Sequence, residues 1–487
     1  MTREDMQKVF EIGISLSIEK DFNRLLEQIL GHVMEITHCD AGTLYLKDGD
    51  YLRSKIMRND TMKTYQGGDG KDPGLPPVPI TRASVCALAL IEDETICVED
   101  VRNSEKYDFS GPIRYDAMTG YHTQSILVVP MHDRKGTSVG VLQLINAQDK
   151  EGRLCAFAPE MVMVVESIAS QAAITIQNMM YIEDIRGLFQ SFVKVMSSAI
   201  DERTPYNASH TRHMAQYGEK FIGYLNARSE EKSGKKLFTS IQKEELLMSI
   251  WLHDVGKLVT PLEVMNKAAR LTEDQHREIQ HRFEVMELKN RLALLEGKKT
   301  EAEAAAQQQQ IKAAGELVER INDAGILSDQ LLAELQTLEG QYFVDGDGER
   351  LPLLTEEEHA LLSIRRGTLS EAERRIMENH VFITDKLLSE IRFTSDYSHV
   401  REWAASHHEY LDGSGYPNKL QGYDIPMEVR IITILDIFDA LIADDRPYKP
   451  GMPVDRALNI LTIMAEKEGK LDPQLTRQFA ESRCWET

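Results

Sequence analysis

The spacing of apolar residues divides the first part of the chain into helical and extended segments. Apolar side chains recur every three or four positions between residues 25 and 36, which predicts an amphipathic helix. Residues 41–46 predict a strand, and residues 48–50 predict a turn into a second strand. Residues 60–80 are rich in glycine and proline, and they predict a loop.

The pattern then continues with a short helix, a short strand and a hairpin. The helix is predicted over residues 83–91 and the strand over residues 95–98. Two longer apolar runs, residues 125–131 and 138–146, flank a polar turn at residues 133–136 and predict two antiparallel strands. Together these segments predict an α+β domain that is built on an antiparallel sheet.

One long helix is predicted between residues 161 and 200. Its apolar positions recur at intervals of three and four, and no proline interrupts them. A pattern sustained over this length fits the seam of a parallel coiled pair in a dimer. A helix that packs on its own domain is the alternative. We interpret the segment as a signalling helix that connects two domains.

Composition sets the broad class of the protein. A chain of 487 residues is too long for one ordinary core, so two or three domains are expected. The net charge of −22 argues against binding to DNA or to anionic membranes. No apolar run reaches the roughly 20 residues of a transmembrane helix, and the polar N-terminus is unlike a signal peptide.

The cysteines point to a reducing compartment. All five are scattered along the chain without a CxxC pair: Cys39, Cys86, Cys97, Cys155 and Cys484. This usage fits reduced thiols rather than a disulfide framework. The sequence therefore predicts a soluble, cytoplasmic protein.

The second half of the chain is rich in candidate metal ligands. Residues 407–417 contain two adjacent histidines, two carboxylates and a Gly-Ser-Gly-Tyr-Pro turn. His253 and Asp254 lie upstream, and Asp436 lies downstream. Imidazoles and carboxylates are the ligands that divalent zinc, manganese and iron accept. The several clusters predict one shared metal centre.

The segment before His253 strengthens this prediction. Residues 244–252 form an apolar helix that runs directly into His253 and Asp254. A carboxylate at the end of a buried helix is costly unless a cation compensates it. Gly256 permits a close approach of another segment, and Lys257 supplies an anion-binding charge. Histidines 210 and 213 share one helix face and are further candidates, although such a pair is weak evidence alone.

The predicted order of elements in the first part resembles a GAF domain. The resemblance covers roughly residues 20–178 and is strongest at residues 126–146. It implies an antiparallel sheet flanked by helices that binds a small molecule or dimerises. A ligand-free dimerising scaffold is the alternative, and the sequence does not identify a ligand.

The His-Asp pair followed by Gly-Lys resembles the HD phosphohydrolase superfamily. The motifs at residues 407–417, Asp436 and residues 446–449 narrow the resemblance to the HD-GYP subfamily, whose members hydrolyse cyclic di-GMP. It covers about residues 195–268 and 365–478. The resemblance implies an all-α domain with metal-dependent phosphate-ester chemistry.

This resemblance also implies a set of site residues. Seven residues match the family's metal ligands: His210, His253, Asp254, His380, His407, His408 and Asp436. Asp254 would bridge two divalent metal ions, with iron or manganese the expected metals, and it would be catalytic together with Lys257. Some family members hold a third metal through a glutamate at the position of Tyr206, so the chain is expected to bind two.

The resemblance assigns the substrate contacts as well. Lys257, Arg446 and Lys449 are implied to bind the substrate phosphates. Tyr416 faces either the substrate or a partner protein, and simple packing of its loop is the alternative.

The resemblance implies one metal-ligand histidine between Asp254 and His407. The chain offers two candidates for it, His281 and His380, with a predicted insertion between them. The Ala/Gln-rich residues 301–310 and the apolar spacing around them predict an inserted helical hairpin at about residues 282–365. Residues 345–348 predict its exposed turn rather than a calcium loop. We select His380 because residues 367–370 and the segment after it run continuously toward His407. His281 would then be a surface residue of the insertion.

The sequence thus predicts a three-part α+β protein. A GAF-like domain spans residues 1–178, a connecting helix spans residues 161–200, and an HD-GYP domain with its insertion spans residues 195–487. The predicted function is hydrolysis of cyclic di-GMP to linear pGpG, with GMP as a further product, under control of the GAF domain. The alternatives are a phosphodiesterase for another cyclic dinucleotide and a cyclic dinucleotide-binding effector with little turnover. The predicted partners are a second copy, through the GAF domain and the helix, and other proteins through the Gly-Tyr-Pro loop.

Overall fold

The computed structural model describes residues 12–15, 18–19, 21–68, 74–203, 209–443 and 451–486. The chain divides into two compact units, Met1–Leu188 and Phe189–Thr487. Three residues with predicted roles, Tyr206, Arg446 and Lys449, lie outside the described residues.

The first unit is an antiparallel sheet with flanking helices. Its strands are β1 (Cys39–Asp48), β2 (Tyr51–Asn59), β3 (Thr64–Gly67), β4 (Val78–Pro79), β5 (Ile96–Val98), β6 (Ile126–His132), β7 (Ser138–Gln148) and β8 (Leu154–Cys155). They follow the order β3-β2-β1-β7-β6-β5, while β4 pairs with β2 and β8 pairs with β7. Its helices are α1 (Phe22–Thr37), α2 (Val85–Glu92), α3 (Ser110–Thr119) and the start of α4 (Pro159–Asp201). The α+β class predicted from the sequence is confirmed.

Both faces of this sheet are covered, which explains its apolar centre. On one face Leu25 and Leu30 of α1 pack with Leu44 and Leu142 of the central strands. The other face carries a second apolar cluster around α2. Strands buried on both faces read as continuous apolar runs rather than as an alternation, which is the pattern of β6 and β7.

The prediction of a loop over residues 60–80 is wrong for two short segments. Residues Thr64–Gly67 and Val78–Pro79 pair with β2 as short edge strands. Both strands are short and half of their residues or more are half-buried, so they lack the apolar alternation from which a strand is recognised.

Helix α4 runs unbroken over 43 residues and passes through the boundary between the units. Early in the helix Val165, Ile168 and Ala172 are buried in the core of the first unit. Later positions expose a stripe of large apolar side chains, which is here called the α4 stripe: Ile182, Ile185, Leu188, Phe192 and Val195.

The second unit is mainly helical. Its helices are the end of α4, α5 (His210–Ser233), α6 (Ser240–Leu252), α7 (Leu262–Met265), α8 (Glu273–Leu295), α9 (Glu301–Asn322), α10 (Asp329–Gln336), α11 (Glu356–Leu362), α12 (Glu371–Glu378), α13 (His380–Ser389), α14 (Val400–Ala405), α15 (Met427–Ile442), α16 (Val454–Glu466) and α17 (Pro473–Ser482). A short 3₁₀ turn, Val255–Val259, follows the His-Asp pair. Phe221, Ile250, Leu435, Phe438 and Phe479 are part of its main apolar core.

Helices α8 to α11 surround a separate apolar core, to which Phe283, Val318 and Phe343 contribute; they occupy the segment predicted as an insertion, and that name is kept for it. The insertion also contains a two-stranded hairpin, β9 (Tyr342–Val344) and β10 (Arg350–Pro352), that the all-helical expectation lacked. Strands of three residues are too short for an alternation to reveal them. The turn predicted at residues 345–348 is found between these strands.

A buried arginine joins the two ends of the insertion. Arg270, which precedes α8, is fully buried, and its guanidinium donates to the carbonyl oxygens of Ile364 (2.8 Å) and Ile321 (2.6 Å) and to that of Ala324. Ile364 lies beyond α11, so one side chain contacts the start, the middle and the end of the inserted segment. The planar guanidinium presents several donors at once, which a lysine ammonium does not match.

Among the described residues no helix combines the length and the apolarity that a bilayer span requires. All five cysteines are free thiols.

Candidate metal centre

The candidate ligands lie at helix ends and on one long apolar helix of the second unit. His210 begins α5, His253 and Asp254 follow α6, and His380 begins α13. The pair at residues 407–408 follows α14, and Asp436 lies within α15. His253 and His407 have no exposed surface, and Asp254 is 5 % exposed. The packing of five helices therefore brings these polar side chains into the protein interior.

The two carboxylate oxygens of Asp254 face different histidines. Its Oδ2 lies 3.1 Å from Nε2 of His253 and 3.8 Å from Nε2 of His210. Its Oδ1 lies 3.4 Å from Nε2 of His380 and 3.9 Å from Nε2 of His407. One carboxylate thus stands between two sets of nitrogen donors.

Two triads of donor atoms result. The first triad is His210, His253 and Asp254, and the second triad is His380, His407 and His408; within each, the donor atoms lie within 4.8 Å of one another. Asp436 lies between the triads, because its Oδ1 is 3.3 Å from Nε2 of His210 and its Oδ2 is 3.7 Å from Nδ1 of His408. Six imidazole and carboxylate side chains and Asp436 therefore surround one small volume.

Backbone hydrogen bonds fix the orientation of three of these histidines. Each donates from Nδ1 to the carbonyl three residues earlier: His253 to Ile250 (2.7 Å), His380 to Met377 (2.6 Å) and His407 to Ala404 (2.7 Å). A carbonyl only accepts, so Nδ1 carries the proton and Nε2 keeps its lone pair. The three Nε2 atoms and Oδ1 of Asp254 are buried and have no hydrogen-bond partner.

A glycine allows the two ligand segments to meet. A Cβ atom on Gly256 would lie 1.9 Å from the carbonyl oxygen of His380. The Gly256 amide donates to the Thr384 hydroxyl (3.0 Å), and that hydroxyl donates to the carbonyl of His253 (3.1 Å). The close approach that the sequence suggested for Gly256 is therefore the contact between the His-Asp turn and α13.

The structure places the two candidates for the middle ligand, His281 and His380, in different surroundings. His380 is 1 % exposed and faces Asp254. The side chain of His281 is 78 % exposed and pairs only with Glu284 within the insertion, at 3.6 Å. The structure therefore brings His380 into the cluster and leaves His281 on the surface.

One residue that the sequence reasoning missed supports His210. Asp439 is 2 % exposed and accepts a hydrogen bond from Nδ1 of His210 at 2.6 Å. His213, the other early candidate, is half-exposed and lies 3.5 Å from the same carboxylate, away from the two triads. Asp439 follows Asp436 by three positions, so the helix period alone places both carboxylates on one face.

Burial and neighbouring charges separate the protonation states of the ligands. Burial lowers the pKa of His407 well below its usual value and that of His408 to about 4, so both are neutral. Burial also acts on His210, but the hydrogen bonds to Asp436 and Asp439 raise its pKa to about 10. Burial opposes ionisation of Asp254, yet the neighbouring His253 and Lys257 hold the pKa of its carboxyl well below its usual range.

Lys257 and Tyr416, the two described residues with predicted substrate roles, contact the candidate ligands. The Lys257 ammonium lies 2.5 Å from Oδ2 of Asp254 and is mostly buried. The Tyr416 ring packs against the ring of His408, with centroids 4.8 Å apart. Their contacts with a substrate, and the partner surface predicted for the Gly-Tyr-Pro loop, stay predictions.

The donor set fits divalent cations. The site contains three buried or nearly buried carboxylates, Asp254, Asp436 and Asp439, against two cationic groups, Lys257 and the imidazole of His210. Such a negative charge in the interior requires compensation. The unpartnered Nε2 atoms converge on the same volume, and imidazole with carboxylate oxygen suits zinc, manganese and iron. The residues present therefore fit a pair of such ions.

Two family models match the chain. The GAF domain model matches residues 21–176, and the HD domain model matches residues 357–475. The second range includes His380, the pair 407–408 and Asp436, whereas His210, His253 and Asp254 precede the insertion and lie outside it. The chain carries an N-terminal GAF domain and a C-terminal helical HD domain.

The HD part is similar to several cyclic dinucleotide phosphodiesterases. It is 44 % identical over 95 residues to 3'3'-cGAMP-specific phosphodiesterase 3 of Vibrio cholerae, and this alignment covers 20 % of each chain. It is 37 % identical over 123 residues to the cyclic di-GMP phosphodiesterase response regulator RpfG of Xanthomonas campestris. This alignment covers 25 % of this chain and 31 % of that one. The chain therefore spans between a fifth and a third of the length of these relatives.

The GAF part is similar to solved GAF domains. One is the GAF domain from Acinetobacter phosphoenolpyruvate-protein phosphotransferase, with a TM-score of 0.29 and 14 % identity over 37 % of this chain and 95 % of that one.

Proposed function

We propose that the chain is a metal-dependent phosphodiesterase that hydrolyses cyclic di-GMP to linear pGpG, with GMP as a further product. The observation that carries this proposal is the position of the Asp254 carboxylate, whose two oxygens face histidines of both triads while the Nε2 atoms of His253, His380 and His407 are buried without a hydrogen-bond partner. The two triads would hold a pair of cations, which would supply stabilisation of both the attacking and the leaving oxygen at a phosphodiester. The similarity to named phosphodiesterases supports the substrate class.

The protein's own residues have separable tasks in this reaction. His253, His380 and His407 hold their lone pairs toward the centre through the Nδ1 hydrogen bonds to the backbone. When bound, the two metal ions supply Lewis-acid activation of water and of the phosphoryl oxygens. Lys257 supplies a positive charge beside the reacting phosphate, as Arg446 and Lys449 do in the proposal. Hydrolysis forms one bond from water to phosphorus and breaks the bond to the ribose 3'-oxygen, which takes a proton.

The test is a hydrolysis assay of purified protein with cyclic di-GMP and 3'3'-cGAMP side by side. We expect turnover with Mn²⁺, or with Fe²⁺ under anaerobic conditions, and none after chelation. Preference for cyclic di-GMP supports the proposal as stated, and preference for 3'3'-cGAMP corrects the substrate. Tight binding of either dinucleotide with no product under both metals would contradict the enzyme and favour a binding effector.

The GAF domain is proposed to regulate this activity through a small molecule. A cavity of about 540 Å³ lies in this domain, with Tyr45, Met57 and Ile126 providing apolar surface and Arg58 and Gln143 providing polar groups. Such a volume fits a small ligand. A compound that raises the unfolding midpoint of the full chain should also change the turnover rate. Compounds that stabilise the chain and leave the rate unchanged would contradict regulation from this cavity.

The α4 stripe is proposed to pair with that of a second copy. Leu188 is 73 % exposed and Val195 is 67 % exposed, and the stripe repeats at intervals of three and four. A parallel coiled pair buries such a stripe. We expect Leu188→Glu to shift the chain from dimer to monomer in sedimentation analysis. Asp184→Ala, a substitution next to the stripe, should leave the dimer intact, and an unchanged dimer in Leu188→Glu would contradict the pairing.

A further inference from the structure

The C-terminal end of α4 contacts the backbone beside the first triad at three points. Ser197 donates to the carbonyl of Trp251, two residues before His253. Asp201 binds the residue after His210, and Arg203 binds the turn that follows Asp254. Three side chains within seven residues of chain thus reach the segments that carry every member of this triad.

Asp201 caps the helix that begins with His210. Its Oδ1 accepts from the Thr211 hydroxyl at 2.9 Å, and its Oδ2 accepts from the Thr211 amide at 3.2 Å. The N-cap residue of this helix, Ser209, makes no side-chain cap of its own. Asp201 therefore satisfies an amide that otherwise lacks a partner, and its negative charge favours the helix N-terminus. The carboxylate is 6 % exposed, so this contact is shielded from water.

Arg203 holds the turn after Asp254. Its guanidinium donates to the carbonyl of Lys257 at 2.7 Å, to that of Leu258, and to that of Thr260 at 3.5 Å. The Lys257 amide in turn donates to the carbonyl of Asp254 at 2.9 Å. The fork of the guanidinium spans several carbonyls, so it fixes the path of the turn rather than one atom.

The second triad is held by other segments. Its histidines lie at the start of α13 and after α14, and their backbone contacts are to Met377, Ala404 and Thr433. No hydrogen bond between the described residues links Ser197, Asp201 or Arg203 to these segments. The hydrogen bonds from the end of α4 thus go to the segments of the first triad, while its apolar residues Val193 and Ile200 share a buried cluster with Leu388 of α13 and Ala404 of α14.

We propose that Asp201 and Arg203 are positioning residues of the first triad, so that the end of α4 sets the affinity of one of the two metal positions. The inference rests on the metal centre of the proposed function. A partner that orients a ligand changes metal affinity by about 10- to 100-fold when it is removed. The expected consequence is a selective loss at one metal position, with the other retained.

The test is titration of the metal-free full chain with Mn²⁺ alone, followed by calorimetry and elemental analysis. We expect two Mn²⁺ per chain in the wild type. In Asp201→Asn an NH2 group replaces one of the two oxygens and cannot accept from its Thr211 donor, and we expect one position weakened by about tenfold or more and the other unchanged. Arg203→Lys, which replaces the fork by one ammonium, should give the same selective change. With saturating Mn²⁺ the turnover rate should return to within about threefold of wild type.

The matched control is Asp472→Asn; one oxygen of Asp472 caps α17 through the amides of Gln474 (2.9 Å) and Leu475 (3.0 Å), and the other pairs with Arg430 at 3.0 Å. An asparagine keeps the cap and loses the ion pair, so the variant should lower the unfolding midpoint and leave both metal affinities unchanged. Unchanged affinities in both folded variants, equal weakening at both positions, or the same shift in the control would overturn the inference. A wild type that binds no Mn²⁺ would overturn the metal centre itself, so the two failures are distinguishable.

Discussion

Replacing Asp254 with asparagine should lower the rate of phosphodiester hydrolysis by at least about a thousandfold. The carboxylate is buried, and its two oxygens face separate triads. An amide has one oxygen and no charge, so it cannot serve both. Loss of several kcal/mol of charge stabilisation, at about 1.4 kcal/mol per tenfold, gives a change of this size. The measurement is the turnover rate at saturating Mn²⁺, together with the number of metal ions bound.

The control for this variant is Asp412→Asn. Asp412 belongs to the same motif region as His407 but is exposed, and its carboxylate accepts hydrogen bonds from the amide and hydroxyl of Ser414, two positions later. We expect its rate to stay within about threefold of wild type, because its contacts are local. A folded Asp254→Asn variant that hydrolyses cyclic di-GMP at the wild-type rate would contradict a role for Asp254 in catalysis.

Replacing His380 with alanine should lower the rate by at least about a hundredfold and weaken Mn²⁺ binding at the second triad. The imidazole has Nδ1 held by Met377, and its Nε2 faces Asp254. Its removal leaves one position of that triad short of a ligand, and even the loss of an outer partner costs 10- to 100-fold in affinity. The measurements are the Mn²⁺ affinity of each position and the turnover rate.

His281→Ala is the matched comparison, since it removes the other histidine that the sequence offered. That side chain is 78 % exposed on the insertion, so we expect rate and affinity within about twofold of wild type. The reverse outcome, loss of activity in His281→Ala with none in His380→Ala, would show that the insertion contributes a ligand.

The candidate metal-ligand motifs could be recognised from the sequence because their side chains are adjacent along the chain. Adjacent residues such as His253 and Asp254, or His407 and His408, give a ligand pattern without any knowledge of the fold. Their position at the ends of apolar helices also predicts burial, and the structure places His253 and His407 with no exposed surface. The α+β class followed from the same periodicity, which missed short strands such as Thr64–Gly67 and the weakly amphipathic helix α3.

The roles of residues whose partners are distant in sequence could not be predicted in this way. Asp439 bonds His210 across 229 positions of sequence. Arg203 bonds carbonyls that any residue type presents, so no motif marks its partners. The positive charge of Lys257 was evident from its residue type, but its pairing with the Asp254 carboxylate follows from the turn between them.

The sequence by itself determined the donor types, their burial at helix ends and the presence of an insertion, because these properties depend on neighbours within a few turns of chain. Only the tertiary structure decided which histidine completes the second triad, since the insertion separates His380 from Asp254 by more than a hundred positions. It also decided that the two oxygens of Asp254 face different triads. Packing of separate helices sets these distances, and the order of residues along the chain does not contain them.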